Sequence, residues 1–214
     1  MSKLIKLQKP KFIDELEEIH DIYNEIIESD KIQNKTLENE LIEDKYDTGF
    51  TIDSCVFKNV AFSNCSLKHA DIIDVVFENC DLSNIEFSGG SIHRTEFINC
   101  KLLGAKFDDC SLKDVLINGC IGKYANFSFT KFKNVNIVES NLQEAAVQEA
   151  KLQNTSFNNT NLINAYFSKT SLNKIDLTSC DITGIDVEIS DIAGSTVSSM
   201  QALDLTRLLN INIK

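Results

Sequence analysis

Ala105-Lys106-Phe107-Asp108-Asp109-Cys110-Ser111-Leu112-Lys113-Asp114-Val115-Leu116-Ile117-Asn118-Gly119 decides the fold of this chain, because it runs one five-residue pattern three times. A small or modest residue (Ala105, Cys110, Val115) is followed two places later by a large apolar one (Phe107, Leu112, Ile117). Outward from this stretch, the large apolar position recurs at every residue number ending in 2 or 7, from Ile52 to Val197. Of those 30 positions, 29 hold Ile, Leu, Phe or Val; Gly122 is the exception, so one rule governs residues 50–199.

A period of five fits neither ordinary element. In a helix each successive apolar residue would rotate by about 140° and smear the stripe around the surface. In a straight strand an odd repeat would throw it to the opposite face each time. What remains is a chain that turns a corner every five residues and keeps the same two positions inward. Columns of like residues set the number of corners: Ala105, Ala125, Ala145 and Ala165; Cys80, Cys100 and Cys120; Phe57, Phe77 and Phe97; Phe87, Phe107 and Phe127. All recur at twenty, so four pentapeptides make one coil. At the inter-strand spacing of about 4.8 Å, about 7.5 coils give a rod roughly 36 Å long, in which each coil touches only its neighbours.

Ala105-Lys-Phe-Asp-Asp, Ala125-Asn-Phe-Ser-Phe, Thr160-Asn-Leu-Ile-Asn and Cys180-Asp-Ile-Thr-Gly resemble the A-(D/N)-L-x-x pattern of pentapeptide repeat proteins. The resemblance implies an all-β solenoid, a right-handed quadrilateral parallel β-helix with small residues at its inward corners.

The chain has 214 residues and a net charge of −11, from 32 acidic and 21 basic residues. Such a balance disfavours direct contact with nucleic acid or anionic membrane and favours a basic partner. No stretch of 18 apolar residues appears and the N-terminus has no signal-peptide core, so a cytoplasmic location is expected. Cys55, Cys65, Cys80, Cys100, Cys110, Cys120 and Cys180 all fall on the small inward position, where Ala, Val, Thr and Ser also occur. They read as small buried apolar residues. His20, His69 and His93 make no ligand spacing with them, and His69 and His93 sit at outward positions that suit solvated side chains. Neither a catalytic constellation, a phosphate-cradling glycine loop nor a metal-ligand pair is legible. The sequence therefore assigns no catalytic residue, metal or cofactor and does not point to an enzyme.

Residues 1–31 are expected to form an amphipathic helix. Phe12, Leu16, Ile19, Tyr23 and Ile26 follow spacings of four and three, and Pro10 sits where a first turn could begin. Such a helix either lies on the solenoid or serves as an interaction or self-association arm. Residues 32–49 keep the register at Ile32, Leu37 and Ile42 but put Lys35 and Glu40 at small positions and Asp47 at an apolar one. An irregular first coil that closes the N-terminal end is expected there. Gly122 predicts a hole or a bulge in the core.

After Val197 the chain becomes a predicted capping helix and tail, residues 200–214, with Met200, Leu205, Leu208, Leu209 and Ile211 as candidate dimer-interface residues. The segment Met200-Gln-Ala-Leu-Asp-Leu-Thr-Arg-Leu-Leu-Asn-Ile resembles the C-terminal "QA-x-x-L" through "L-x-I" segment of the Qnr and MfpA subfamily. Asn210 stands where several relatives have Gly, and either can end a helix. That resemblance implies a homodimer joined at the C-terminal ends, a rod of DNA-like width and charge. It would occupy the DNA-gripping surface of DNA gyrase and topoisomerase IV, protecting them from fluoroquinolones or inhibiting them. The N-terminal 31 residues are not part of the usual Qnr pattern, and no inserted loop interrupts the register. The competing reading is an interaction scaffold or a toxin-immunity factor with another protein partner.

Residues 50–214 carry 19 acids and 14 bases, a net of only −5, against about one charge per 1.7 Å of duplex axis. Distribution matters more than total. Asp176, Asp181, Asp186, Glu188, Asp191 and Asp204 lie between Lys174 and Arg207 with no base among them, and are the candidate partner-binding acids. The other reading of the same run is that Asp simply suits the outward position beside the apolar one.

Overall fold

The computed structural model describes residues 4–12, 15–20 and 31–211. The body of the chain is a four-sided parallel β-solenoid. Its first coil comprises β2 (Lys31–Gln33), β3 (Lys35–Glu38), β4 (Leu41–Glu43) and β5 (Tyr46–Thr48). The second comprises β6 (Thr51–Lys58), β7 (Ala61–Ser63) and β8 (Ser66–Lys68). Sides one and two then continue as β9 (Asp71–Glu78), β10 (Ser91–Ile98), β11 (Ser111–Asn118), β12 (Lys131–Val138) and β13 (Lys151–Asn158). Neighbours pair in parallel at a constant offset of twenty, as in Ile52↔Ile72, Phe77↔Phe97 and Val115↔Val135. Sides three and four narrow to single bridges such as Asp81↔Lys101 and Tyr166↔Asp186.

Every fifth residue from Asn34 to Lys174 has a positive φ, for example Asn59 at 53°, Asp109 at 57° and Gly104 at 64°. This left-handed residue turns the corner, which explains the abundance of Asn, Asp and Gly at positions ending in 4 and 9. Tyr124 and Phe129 adopt it too, both at 62°, so the neighbouring coils hold the conformation even where local preference opposes it.

The predicted columns are present in the core. Phe57, Phe77 and Phe97 stack at 5.0 and 5.1 Å, and Phe87, Phe107 and Phe127 at 5.1 and 4.9 Å. The two stacks meet edge to face, Phe97 against Phe107 at 5.9 Å and 87°. Each such contact adds about 0.5–1.5 kcal/mol beyond burial of the rings. All seven cysteines are buried free thiols. The small inward position proves to need a donor as often as an apolar group. Cys80 Sγ points at Phe57 O (3.4 Å), Cys110 Sγ at Phe87 O (3.1 Å), and Thr130 and Thr170 Oγ1 donate to Phe107 O and Val147 O (both 2.6 Å). Each reaches back 23 residues to the coil below, so Cys and Thr exchange freely there. Gly122 leaves no hole: a Cβ would meet Leu142 Cδ2 at 2.7 Å, because the next coil's leucine fills the space.

Two expectations fail at the N-terminal end. Residues 32–49 are not irregular: the first coil starts at Lys31 and pairs in full register with the second, Lys31↔Thr51 and Tyr46↔Ser66. Two of its polar inward residues are ion-paired, Lys35 with Glu17 at 2.7 Å and Lys45 with Asp47 at 3.1 Å. The helix over residues 1–31 is absent from its described parts. Residues 4–12 carry no regular structure, and β1 (Glu17–Glu18) pairs with Lys35–Thr36 of β3. Backbone partners on the solenoid compete successfully with helical hydrogen bonds here, and Ile19 is buried against the first coil. Tyr23 and Ile26 lie outside the described residues.

The C-terminal helix is present and short. A single turn, α1 (Ile189–Ile192), is followed by α2 (Ser199–Leu205) and a 3-10 turn at Thr206–Leu209, stopped by Asn210 at φ 54°. Ser198 and Gln201 form a capping box, Gln201 N to Ser198 Oγ (3.2 Å) and Ser198 N to Gln201 Oε1 (2.7 Å). Among the described residues no helix is long and apolar enough to cross a membrane.

Candidate functional site

The six candidate acids fall in the last coils, but not on one side. By the twenty-residue register Asp191 lies on side one, Asp176 on side two, Asp181 on side three and Asp186 on side four; Asp176, Asp181 and Asp186 pair through Asp176↔Thr196, Asn161↔Asp181 and Tyr166↔Asp186. They form a belt around the rod, joined by Glu188 and by Asp204 on α2. Asp181, Asp186, Glu188 and Asp204 are exposed, whereas Asp176 and Asp191 are half-buried.

Some of these carboxylates are also structural. Asp176 Oδ1 accepts from Thr178 N (2.9 Å) and Thr178 Oγ1 (2.7 Å), and Asp181 Oδ1 accepts from Thr183 N (3.0 Å) and Oγ1 (2.7 Å). The Thr178 hydroxyl and amide hold Asp176 below the usual carboxylate range, so its charge persists in mild acid. Asp191 Oδ2 accepts from Lys169 N at 2.8 Å.

Above the belt sits an apolar cap. Met200, Leu209 and Ile211 are exposed, as are Leu203 and Ile189. Leu205 and Leu208, both predicted at a dimer interface, are instead half-buried and pack with Ile192 and Val197 on the core. The sequence pattern could not separate these two groups, because the inward direction of α2 is set by how it is fastened. Gln201 Nε2 donates to Leu177 O (2.9 Å) and Cys180 O (2.8 Å), and Arg207 Nη2 to Ile185 O. Leu177 O also accepts from Cys180 N (2.9 Å), whereas Cys180 O and Ile185 O lie where no further regular coil follows. Between α1 and α2 an apolar hollow of about 280 Å³ is lined by Ile189, Val197, Leu205 and Leu209 among others.

A twenty-residue repeat, four-sided coil and inward small–large pair define one architecture, and the family profiles agree. A profile described as pentapeptide repeat region matches residues 50–120, 70–147 and 90–162, and one described as pentapeptide repeats (8 copies) matches 148–184. The chain belongs to the pentapeptide repeat family. Among solved structures, this pentapeptide repeat protein is similar to full-length QnrB1, described as a plasmid-mediated fluoroquinolone resistance protein. The identity is 21%, coverage is 85% of this chain and 95% of that one, and the TM-score is 0.47. It is also similar to HetL of the cyanobacterium Nostoc, described as involved in heterocyst differentiation regulation: 15% identity, coverage 78% and 86%, TM-score 0.40. No curated protein gives a significant match.

Elsewhere the surface offers little for chemistry. A groove of about 590 Å³ near the N-terminal end is lined by Tyr46, Phe62, Ser66, Asn84 and Glu86. Lys106 (2.5 Å) and Lys68 (2.9 Å) neutralise Glu86 and push its carboxyl down to about 2. Among the described residues no group of three or more His, Cys, Asp or Glu is placed to hold a metal ion.

Sequence reasoning missed a second polar cluster, on the ridge between sides one and two. His93 is half-buried, not solvated, with Nε2 3.8 Å from Asp114 Oδ2. Burial, then Arg94 and Lys113, hold its pKa below the ordinary histidine value. Arg94 grips Asp74 through Nε (2.6 Å) and Nη2 (2.5 Å). Burial opposes ionisation of Asp74, but Arg94 and the Lys11 amide outweigh it and keep the carboxyl below its usual range. No period in the sequence signals this cluster, because what buries it is the N-terminal segment.

Proposed function

We propose that this pentapeptide repeat protein is a non-enzymatic partner of type II topoisomerase, a DNA mimic that occupies the basic DNA-gripping surface of DNA gyrase or topoisomerase IV. The observation that carries the reading is the acidic belt. It surrounds the rod at one end, contains no base between Lys174 and Arg207, and adjoins an exposed apolar cap. Two copies meeting through Met200, Leu203, Leu209 and Ile211 would bring two belts together at the centre of a longer rod. A two-fold symmetric enzyme grips there, and a belt presents charge to both halves of its saddle at once. Carboxylates stand in for phosphates, and the contact is sensitive to salt. The Qnr and MfpA resemblance of residues 200–211 supports both the dimer and the target.

Titration of the protein into gyrase supercoiling reactions, with and without a fluoroquinolone, tests the reading. Rescue of the drug-treated enzyme or inhibition of the free enzyme is expected. Both should be lost in Asp186→Lys/Glu188→Lys/Asp204→Lys, whose side chains are exposed. Absence of any effect in both series, or full activity of the triple variant, overturns it.

A further inference from the structure

The ridge between sides one and two is covered by the chain's own N-terminus, Leu4-Ile5-Lys6-Leu7-Gln8-Lys9-Pro10-Lys11-Phe12. Ile5 N donates to Asn136 Oδ1 (2.9 Å) while Asn136 Nδ2 donates back to Ile5 O (2.8 Å). Gln8 N donates to Asp114 Oδ1 (3.1 Å) and Lys11 N to Asp74 Oδ1 (2.9 Å). The donors are three residues apart, about 9 Å of extended chain; from Gln8 to Lys11 this spans the two coils from β11 to β9, and from Ile5 to Gln8 it crosses the one coil from β12 to β11 on a diagonal, since Asn136 lies on side two, past the corner. The strap therefore runs back along the rod from β12 past β11 to β9, reading one polar group at each stop.

Five features suit this ridge to holding an extended chain. Its acceptors are fixed by the solenoid itself: Arg94 holds Asp74, Asn134 Nδ2 holds Asp114 (3.1 Å), and Ser156 Oγ holds Asn136 (2.6 Å). The hydrogen bonds from Asn136, Asp114 and Asp74 to the strap go to its backbone, so they select an extended chain and leave side-chain preference to charge. Asp114 keeps one buried oxygen, Oδ2, without a hydrogen-bond partner, and its side chain is 1% exposed. The strap adds no strand to the sheet, since β9 to β13 complete their ladder with one another. Lys6, Lys9 and Lys11 supply positive charge to a protein of net charge −11, and all three are exposed.

We propose that the ridge formed by Asp74, Asp114 and Asn136 is a docking surface for extended, lysine-rich peptide segments of a partner protein, which residues 4–12 occupy in cis and must vacate. This surface is separate from the acidic belt and stands whether or not topoisomerase is the belt's target. Tethering gives the strap an effective concentration in the millimolar range, so it acts as a built-in competitor.

The probe is a fluorescein-labelled peptide with the sequence of residues 1–12, and the protein is the full chain carrying Ile5→Pro, Gln8→Pro and Lys11→Pro. Proline removes the donated N–H groups from the strap and leaves the ridge untouched. Anisotropy should show saturable binding to this variant, at least about tenfold tighter than to the wild type, where the strap competes. Adding Asp74→Asn and Asp114→Asn should weaken it about tenfold, and a peptide with Glu at positions 6, 9 and 11 should not bind. No binding at about 1 mM peptide, or equal binding of the Glu peptide, overturns the proposal. So does a molecular mass halved by the three prolines, which would assign the ridge to the strap of a second copy. Hydrogen exchange on the unaltered chain gives an independent check. The amides of Ile5, Gln8 and Lys11 should open far faster than those of β9 to β13, and equal protection would show a strap that never leaves.

Discussion

The two ends of the solenoid solve the same problem in opposite ways. At the N-terminal end the first coil turns polar residues inward, Lys35 and Lys45 among them, and answers them with Glu17 (2.7 Å) and Asp47 (3.1 Å). A two-residue strand and the buried Ile19 complete the closure. At the C-terminal end the last coil stays apolar and is covered by α2, pinned by Gln201 and Arg207, which leaves Met200, Leu209 and Ile211 in the open. A polar end needs no partner, since water and ion pairs satisfy it. An apolar end leaves surface that water does not satisfy, which is why the proposed dimer contact is placed there.

Perturbing the middle separates the ends most sharply. Phe107→Ala, which empties the junction of the two aromatic stacks, should cost about 3–5 kcal/mol. Because each coil holds only its neighbours, urea unfolding followed by probes at each end should split into two transitions. At the C-terminal end, Leu205→Asp should cost about 2–3 kcal/mol and release α2, seen as loss of protection in the final coil. Leu209→Asp should leave stability nearly unchanged yet convert a dimer to a monomer in light scattering. Equal destabilisation by the two would erase the distinction between the inner and outer leucines.

The thiols give a subtler probe along the axis. Burial pushes Cys55 up to about 11 and Cys110 up to about 12, above the value of about 9 they have when unfolded. A raised pKa contributes stability that is complete below pH 9 and is lost as pH rises from there toward the folded values. By pH 10 the loss should be on the order of 1 kcal/mol per thiol, and Cys55→Ala/Cys110→Ala should flatten the slope. Ser198→Ala should cost about 1 kcal/mol through the lost cap, read locally in α2. Smallest of all, Glu17→Gln at the N-terminal end should change stability by less than about 1 kcal/mol, because the carboxylate it removes is largely exposed.

The coil could be read from sequence because its determinants repeat. One misplaced Phe among many would be noise, but a column such as Phe87, Phe107 and Phe127 states both the period and what stacks on what. Asn84, Asp109 and Asn164 carried a further signal, the left-handed corner, that the apolar period alone did not expose. The candidate acids were found in sequence, but their placement around four sides was not, since linear spacing says nothing of which side each fifth residue joins until the coil is closed. Phe12, Leu16 and Ile19 misled for a related reason: helical spacing in a short segment is weak beside a neighbouring surface already carrying hydrogen-bond acceptors.

The sequence by itself determined the solenoid, its four-pentapeptide coil and the burial of every cysteine, because each follows from a local rule repeated between Phe50 and Ser199. Only the tertiary structure decided that the first coil begins at Lys31, that residues 4–12 lie across Asp74, Asp114 and Asn136, and that Leu205 turns inward while Leu209 faces out. Those outcomes depend on single contacts between segments as far as 131 residues apart. A contact made once, between a strap or a cap and a surface that only the finished coil presents, leaves no period to be read.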